Sequence, residues 1–385
     1  EEAIKPVDNE TCSTCARATL LKTWATKAQD PAAKAVDWLF SGAPAGITSY
    51  DDELFDKLWP RKDDDDNEDH DIDTITTDVD HHDPNMQSSE INDNIWSQGS
   101  SFKVHDDDVL ELIETYEEKK YVKVVDSVEQ LHQEVGTGVT YSDLLAITKQ
   151  RFDPETNSYK KKTRTVLNLK KSGISKRTCL RHKGGLPRAT DAIGDILTLM
   201  DDSLQNEVLE QLVMVIVDAF WIAPSNPEER MHFVTKIGSK IVIMLRTTQG
   251  SRDAGLTWAT IAALVGRCIL SLFTEPMQRG RRCMTKVLME IYVDDPWCVA
   301  RGTPGEIDEH FSMIALTWLL LGFPLAFHKA LRGPSIVWTG VKLNIKEDHV
   351  VAEIMEEKMT EMKTLTKGDP AKQCSPAQEA QDVCR

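Results

Sequence analysis

The segment Ile291-Tyr292-Val293-Asp294-Asp295 sets two carboxylates side by side between apolar runs. Paired acids also occur at 51–52, 63–66, 106–108 and 201–202, but there the neighbours are polar and water screens the charge. At 294–295 strand-forming apolar residues precede and follow, so two negative charges are concentrated where desolvation is expensive. A divalent cation relieves that repulsion. Mg²⁺ (or Mn²⁺) takes carboxylate and phosphate oxygens together, which points to a nucleotide substrate with Asp294 and Asp295 as metal ligands. The simpler alternative is a hairpin turn, for which Asp is well suited.

Two other groups could hold metal. Cys12-Ser13-Thr14-Cys15 has the Cys-x-x-Cys spacing of half a zinc site, but Cys374 and Cys384 are distant and separated by nine residues, so no second half follows at zinc-ribbon spacing and zinc is not expected. His70, His81 and His82 lie among aspartates without regular ligand spacing. The eight cysteines form no disulfide framework, so a reduced, intracellular setting (cytoplasmic or nuclear) is expected.

The 385 residues carry a formal net charge of -17, which at first argues against nucleic acid. The charge is uneven. Residues 51–83 hold fifteen Asp/Glu against three Lys/Arg, whereas 149–188 hold thirteen Lys/Arg against two Asp/Glu. One acidic block therefore supplies most of the total, and a basic block lies elsewhere. The chain starts Glu1-Glu2, so no signal peptide is expected, and without an initiator Met it reads as a piece of a longer product. The longest apolar run identified, Met313 to Phe327, is too short for a membrane span and contains Thr317, Gly322 and Pro324, so no membrane partner is expected.

Five regions are expected. Residues 1–50 are an N-terminal helical segment, with a helix over 16–41 stopped by Gly42 and Pro44. Residues 51–104 form an acidic disordered linker. Residues 105–212 hold a helix near Val109 to Tyr116, short strands at 120–125 and 165–169, and the helix Ile193 to Met200. Residues 213–345 form an α+β unit. Its strands are Val213 to Val217, Ile241 to Leu245, Val287 to Val293, Trp297 to Ala300 and Ile336 to Leu343; its helices are Trp258 to Phe273 and Ile307 to Leu321. Residues 346–385 form a short helix (Val351, Ile354, Met355, Met359, Met362) and a polar disordered tail.

Tyr292-Val293-Asp294-Asp295 on a hairpin resembles the metal-binding motif of reverse transcriptases, and further motifs follow in the family's order. Thr248-Gln249-Gly250-Ser251 resembles the Gln-Gly loop under the nucleotide and template. Val213 to Phe220 resembles the first palm strand, Gly322-Phe323-Pro324 with His328-Lys329 the segment whose lysine lies near the triphosphate, and Trp338-Thr339-Gly340 the primer-grip hairpin. Arg164-Thr165-Val166-Leu167-Asn168-Leu169 resembles the fingers strand whose arginine touches the triphosphate. The likeness covers roughly 120–345 and is closest to retroelement polymerases. It implies polymerase fingers (105–212) and palm (213–345), with an antiparallel palm sheet backed by helices and the thumb largely absent. It implies nucleotidyl transfer to a primer 3′-hydroxyl by two metal ions, with a template–primer duplex and deoxynucleoside triphosphates as partners. On this resemblance Arg164 binds the triphosphate, Phe220 lies under the sugar, Gln249 and Gly250 contact the nucleotide, Lys329 assists the leaving pyrophosphate, and Trp338 and Gly340 grip the primer. Each has an ordinary alternative: Arg164 and Lys329 as solvated surface cations, Phe220 and Trp338 as core.

The sequence departs from the family at one decisive place. Relatives carry a metal-binding Asp three residues before the Asp-Ala-aromatic group, here Asp218-Ala219-Phe220, so that position is Val215. Valine ligates no metal, and Asp218 lies an odd number of strand positions away, on the other face. Asn168 stands where relatives have Asp. An impaired, degenerate or truncated polymerase copy is therefore expected. The alternatives are a non-catalytic nucleic-acid-binding remnant, or an interaction protein dominated by its acidic linker and N-terminal helix. A further expectation is that the acidic segment competes with RNA for the basic region.

Overall fold

The computed structural model describes residues 16–62, 106–153, 158–201, 203, 206–274, 285–356 and 359–360. In chain order the helices are α1 (Ala18–Lys27), α2 (Trp38–Ser41), α3 (Asp52–Leu58), α4 (Asp106–Glu118), α5 (Val128–Val135), α6 (Ile174–Arg177), α7 (Ala189–Asp201), α8 (Ala254–Leu270) and α9 (Pro304–Leu320). The strands are β1 (Val122–Val125), β2 (Asp143–Asp153), β3 (Ser158–Asn168), β4 (Val208–Val213), β5 (Val234–Ile237), β6 (Lys240–Met244), β7 (Val287–Tyr292), β8 (Asp295–Gly302), β9 (Leu331–Gly333), β10 (Ser335–Trp338), β11 (Val341–Ile345) and β12 (Val350–Ile354). The class is α+β, and every pairing of these strands is antiparallel.

The central sheet runs β7-β8-β4-β9. Successive strand residues point to opposite faces, and here both faces are apolar. Leu212, Cys298 and Ala300 face a core shared with α8, α9 and the N-terminal segment. Val213, Trp297 and Val299 face a second core built from α7 (Ala192, Ile196, Leu199) and the β10-β11-β12 sheet (Ile336, Trp338, Leu343). β1-β6-β5 and the long β2-β3 hairpin complete the other half of the chain.

Local signals explain the main helices. α9 begins with a capping box, Thr303 and Glu306 satisfying each other's backbone N–H groups, with Pro304 at its first turn. α8 is apolar almost all round because it lies between the sheet and the N-terminal segment. Together with the following turn (Ala254–Phe273) it is long and apolar enough to cross a membrane, a longer run than the one singled out in the sequence. In the fold 67% of that window is buried inside the protein.

Several expectations are corrected. The helix expected over 16–41 breaks after Lys27, where Gln29 takes φ 53° and Pro31 follows; a 3₁₀ turn and α2 continue it. The expected linker does not begin at 51, since α3 occupies 52–58 and buries Leu54 and Phe55 in the main core. Residues 63–105, with the three histidines, lie outside the described residues, as do Cys12, Cys15, Cys374 and Cys384. The strand expected at Val213 to Val217 lies upstream, at Val208–Val213. Ile336 to Leu343 is two strands reversing at Thr339-Gly340, both in the left-handed region. The helix expected after 346 starts late: 350–354 form β12, where the β-branched Val350 and Val351 pair along the open edge of β11, and helical residues appear only from Glu356, with the Met359 N–H donating to the Met355 carbonyl at 3.0 Å. Residues 361–385 lie outside the described region.

A buried carboxylate joins the N-terminal segment to the rest. Glu229 accepts hydrogen bonds from the N–H groups of Ala45 (2.6 Å), Ile47 (2.9 Å), Thr48 (2.7 Å) and Ser49 (3.2 Å). Gly42 is required on the approach, because its φ is +97° and a Cβ there would lie 2.5 Å from the Ser225 carbonyl oxygen. Removing the carboxylate leaves four backbone donors without their acceptor. Glu229→Ala should therefore lower stability by roughly 3 kcal/mol or more. Urea unfolding should show a lower midpoint with an unchanged slope, and Glu229→Gln should lie between the variant and the wild type.

Candidate functional site

Tyr292 pairs with Asp295, so Val293 and Asp294 form a two-residue hairpin loop. Val293 adopts φ 54°, a region that a β-branched residue enters only under strain, of order 1–3 kcal/mol. Three neighbours hold the turn. The Trp258 indole N–H on α8 donates to the Val293 carbonyl at 2.7 Å, the Ile216 N–H to that of Asp294 at 2.7 Å, and the Trp338 indole on β10 to that of Asp295 at 3.2 Å. Three consecutive carbonyls are thus gripped from three elements, which fixes where the Asp294 and Asp295 carboxylates emerge.

The β4–β8 ladder ends at Val213 opposite Trp297, but the chains stay together. The Met214 N–H donates to the Pro296 carbonyl at 2.9 Å, ahead of the Ile216 bond. Continuing the register by two residues places half-buried Val215 opposite Asp295. On its other side the Val215 carbonyl accepts from the Ala326 N–H at 2.9 Å. Val215 therefore lies across from Asp295 and brings hydrocarbon there.

Asp218 sits in a left-handed turn (φ 53°), and its carboxylate is held by Lys119 (2.8 Å) and the Tyr121 hydroxyl (3.1 Å). It serves to join the two halves of the chain. Among the described residues no group of three Asp, Glu, His or Cys side chains is placed to hold a metal. Two hairpin carboxylates with valine at the third position do not fit a two-ion Mg²⁺ or Mn²⁺ cluster, and no chemical step is assigned to one.

Phe220 follows in a 3₁₀ turn and lines a cleft of about 740 Å³ with Trp258 and Val293; Lys62, Lys183 and Arg252 bring positive charge to its walls. Gln249 and Gly250 sit against β3. The Gln249 carbonyl accepts from the Leu167 N–H at 3.1 Å, and a Cβ at Gly250 (φ +100°) would stand 2.3 Å from the Leu167 carbonyl oxygen. Arg164 is exposed on the same strand, opposite Ile147. Asn168 accepts from the Lys171 N–H at 3.1 Å and shapes the turn after β3. Lys329 is exposed just before β9, so the 214–217 segment separates it from the hairpin. Trp338 is buried, and Gly340 lies at the β10–β11 tip.

Three features escaped the sequence. Trp258 sits in an apolar helix with nothing to mark its polar bond. Tyr116, Tyr121 and Trp221 cluster across the two halves; Tyr121 and Trp221 stack with centroids 5.2 Å apart. Glu290 alternates with Leu288 and Tyr292 and so faces α7, where Asp191 and Asp195 lie. Burial, then the nearby acids, pushes Glu290 up to about 7 and Asp195 up to about 6. An acid between apolar strand residues (Met289-Glu290-Ile291) was the available signal.

No protein-family model and no curated protein matches the chain. Among solved structures, the chain is similar to a foamy viral protease–reverse transcriptase (dRH) in complex with double-stranded DNA, at 13% identity and TM-score 0.46. The match covers 71% of this chain and 38% of that one. A second structure, also a foamy viral protease–reverse transcriptase with double-stranded DNA, gives 13% identity and TM-score 0.42, over 71% of this chain and 45% of that one. The chain spans less than half the length of either.

Two outcomes test this geometry. Gly250→Ala forces a strained φ and a backbone clash, and should lower stability by roughly 2 kcal/mol in thermal or urea unfolding. For Glu290 the folded pKa is raised, so the fold favours the protonated form. Its contribution is fully present below about 4.5 and is lost as pH rises through about 7. Glu290→Gln should therefore gain stability relative to wild type as pH rises from about 4.5 to about 7, with the difference levelling off above that range.

Proposed function

We propose that this chain is a reverse-transcriptase-like polymerase, fingers and palm, that accommodates a template–primer duplex, and that its nucleotidyl transfer is impaired at Val215. The observation carrying this reading is the register that sets Val215 opposite Asp295, beside a hairpin gripped at three consecutive carbonyls. A surface turn needs no such grip, whereas a turn that aims carboxylates at a substrate does.

The remaining residues have roles that fit. Arg164, exposed on β3, offers a guanidinium suited to phosphate oxygens. Gln249 and Gly250 lock that strand to the start of α8, so fingers and palm face each other at a fixed separation. Phe220 forms part of the wall where a sugar would lie. The missing carboxylate removes stabilisation of several kcal/mol, and each ~1.4 kcal/mol is a factor of ten, so a deficit of at least about a thousandfold follows. The same observation favours a second reading, a non-catalytic protein that binds the duplex. Its mark would be salt-dependent binding without extension.

Primer extension on an RNA template with Mg²⁺ compares the wild type with Val215→Asp. Activity confined to the substituted protein is the expected result. Equal, ordinary activity in both would show that Val215 is not the lesion. Salt-dependent duplex binding with no extension by either would favour the non-catalytic reading.

A further inference from the structure

α9 has two unlike faces. Ile307, Phe311, Ile314 and Trp318 are buried against the sheet and α8. On the outside, Met313, Leu316, Leu319 and Leu320 are 42%, 64%, 38% and 49% exposed. Met313, Leu316 and Leu320 fall at i, i+3 and i+7, the spacing with which one helix meets another, and exposed Glu309 extends the line one turn earlier. Single exposed leucines are ordinary; four on one helix face form a patch that water does not favour.

The charges at the two ends of this stripe identify its occupant. The N-terminal end exposes Asp308, which is paired to Arg332 at 2.7 Å, and Glu309. At the other end the Arg17 backbone N–H donates to the Leu321 carbonyl at 2.8 Å, which fixes exposed Arg17 beside the last turn of α9. The stripe is therefore negative at one end, positive at the other, and apolar between. A surface so arranged complements itself when turned through a two-fold axis near its centre.

We propose that α9 forms the interface of a homodimer in which two copies pack antiparallel about Leu316. Met313 of one copy then lies against Leu320 of the other, and Arg17 of each approaches Glu309 of the other. A parallel arrangement would instead oppose the two acidic ends. The helix has 17 residues. It is therefore ~25 Å long, and a stripe ~10 Å wide offers a few hundred Å², below the ~800 Å² each partner gives to a standard interface. A weak, micromolar dimer is expected.

Sedimentation equilibrium of the full chain over roughly 1 to 100 μM tests this. The wild type should pass from monomer to dimer across that range. Leu316→Glu should weaken association at least about tenfold, with an unchanged circular dichroism spectrum because the side chain is exposed. Arg17→Glu should weaken it by a smaller factor, and Arg17→Glu combined with Glu309→Arg should restore it. A wild type that stays monomeric throughout overturns the proposal, even if another protein covers the stripe. A dimer indifferent to Leu316→Glu also overturns it, and failure of the charge exchange to restore binding overturns the antiparallel arrangement. None of these outcomes depends on polymerase activity.

Discussion

The antiparallel register of β4 against β8 is the constraint on which the rest of the structure depends. β8 and the second half of β4 (Gln211 to Val213) are buried on both faces, so a slip of one residue would exchange the α8–α9 side of the sheet for the α7 side there. Leu212 and Val213, or Cys298 and Trp297, differ in shape and could not trade places without leaving voids on one face and overlap on the other. The register is therefore fixed by packing far from the hairpin. It is then carried past the last paired residue by the Met214 and Ile216 bonds, which is why the position of Val215 relative to Asp295 follows from core packing.

The hairpin itself illustrates how strain is retained. Val293 in a left-handed conformation is unfavourable in isolation, yet the turn is over-determined by Trp258, Ile216 and Trp338. Most of the framework that aims the two carboxylates is backbone and tryptophan, and none of it involves residue 215's side chain. The framework therefore tolerates either a carboxylate or a valine at 215. A carboxylate there would add a third negative charge beside Asp294 and Asp295, a repulsion that valine avoids.

Residues 16–62 are part of the same body. Leu21, Val36, Leu39, Leu54 and Phe55 enter the main core, and Asp30 meets the Arg267 guanidinium at 2.7 and 2.9 Å on α8. Glu229 then fastens the 45–49 loop beside the β5–β6 region. α8 is apolar on nearly every side for this reason: the N-terminal segment covers the face that would otherwise meet water.

The sequence by itself determined the elements with strong local periodicity: the hairpin around Asp294-Asp295, the apolar helix expected at Trp258 to Phe273 and the helix expected at Ile307 to Leu321. It also placed Val215 three residues before Asp218-Ala219-Phe220, because spacing is a property of the chain alone. Where the local signal was weak, tertiary contacts decided. Val350 to Ile354 carried an amphipathic pattern compatible with a helix, but the open edge of β11 supplied backbone partners that a helix could not use. The acidic composition around 51–62 masked α3, whose Leu54 and Phe55 are buried only because the core lies beneath them. The grip of Trp258 on Val293, the joining of Asp218 to Lys119 and Tyr121, and the raised acids facing α7 all bring together residues distant in sequence. Periodicity reports which face of an element avoids water. Only the packed chain settles which distant group that face will meet.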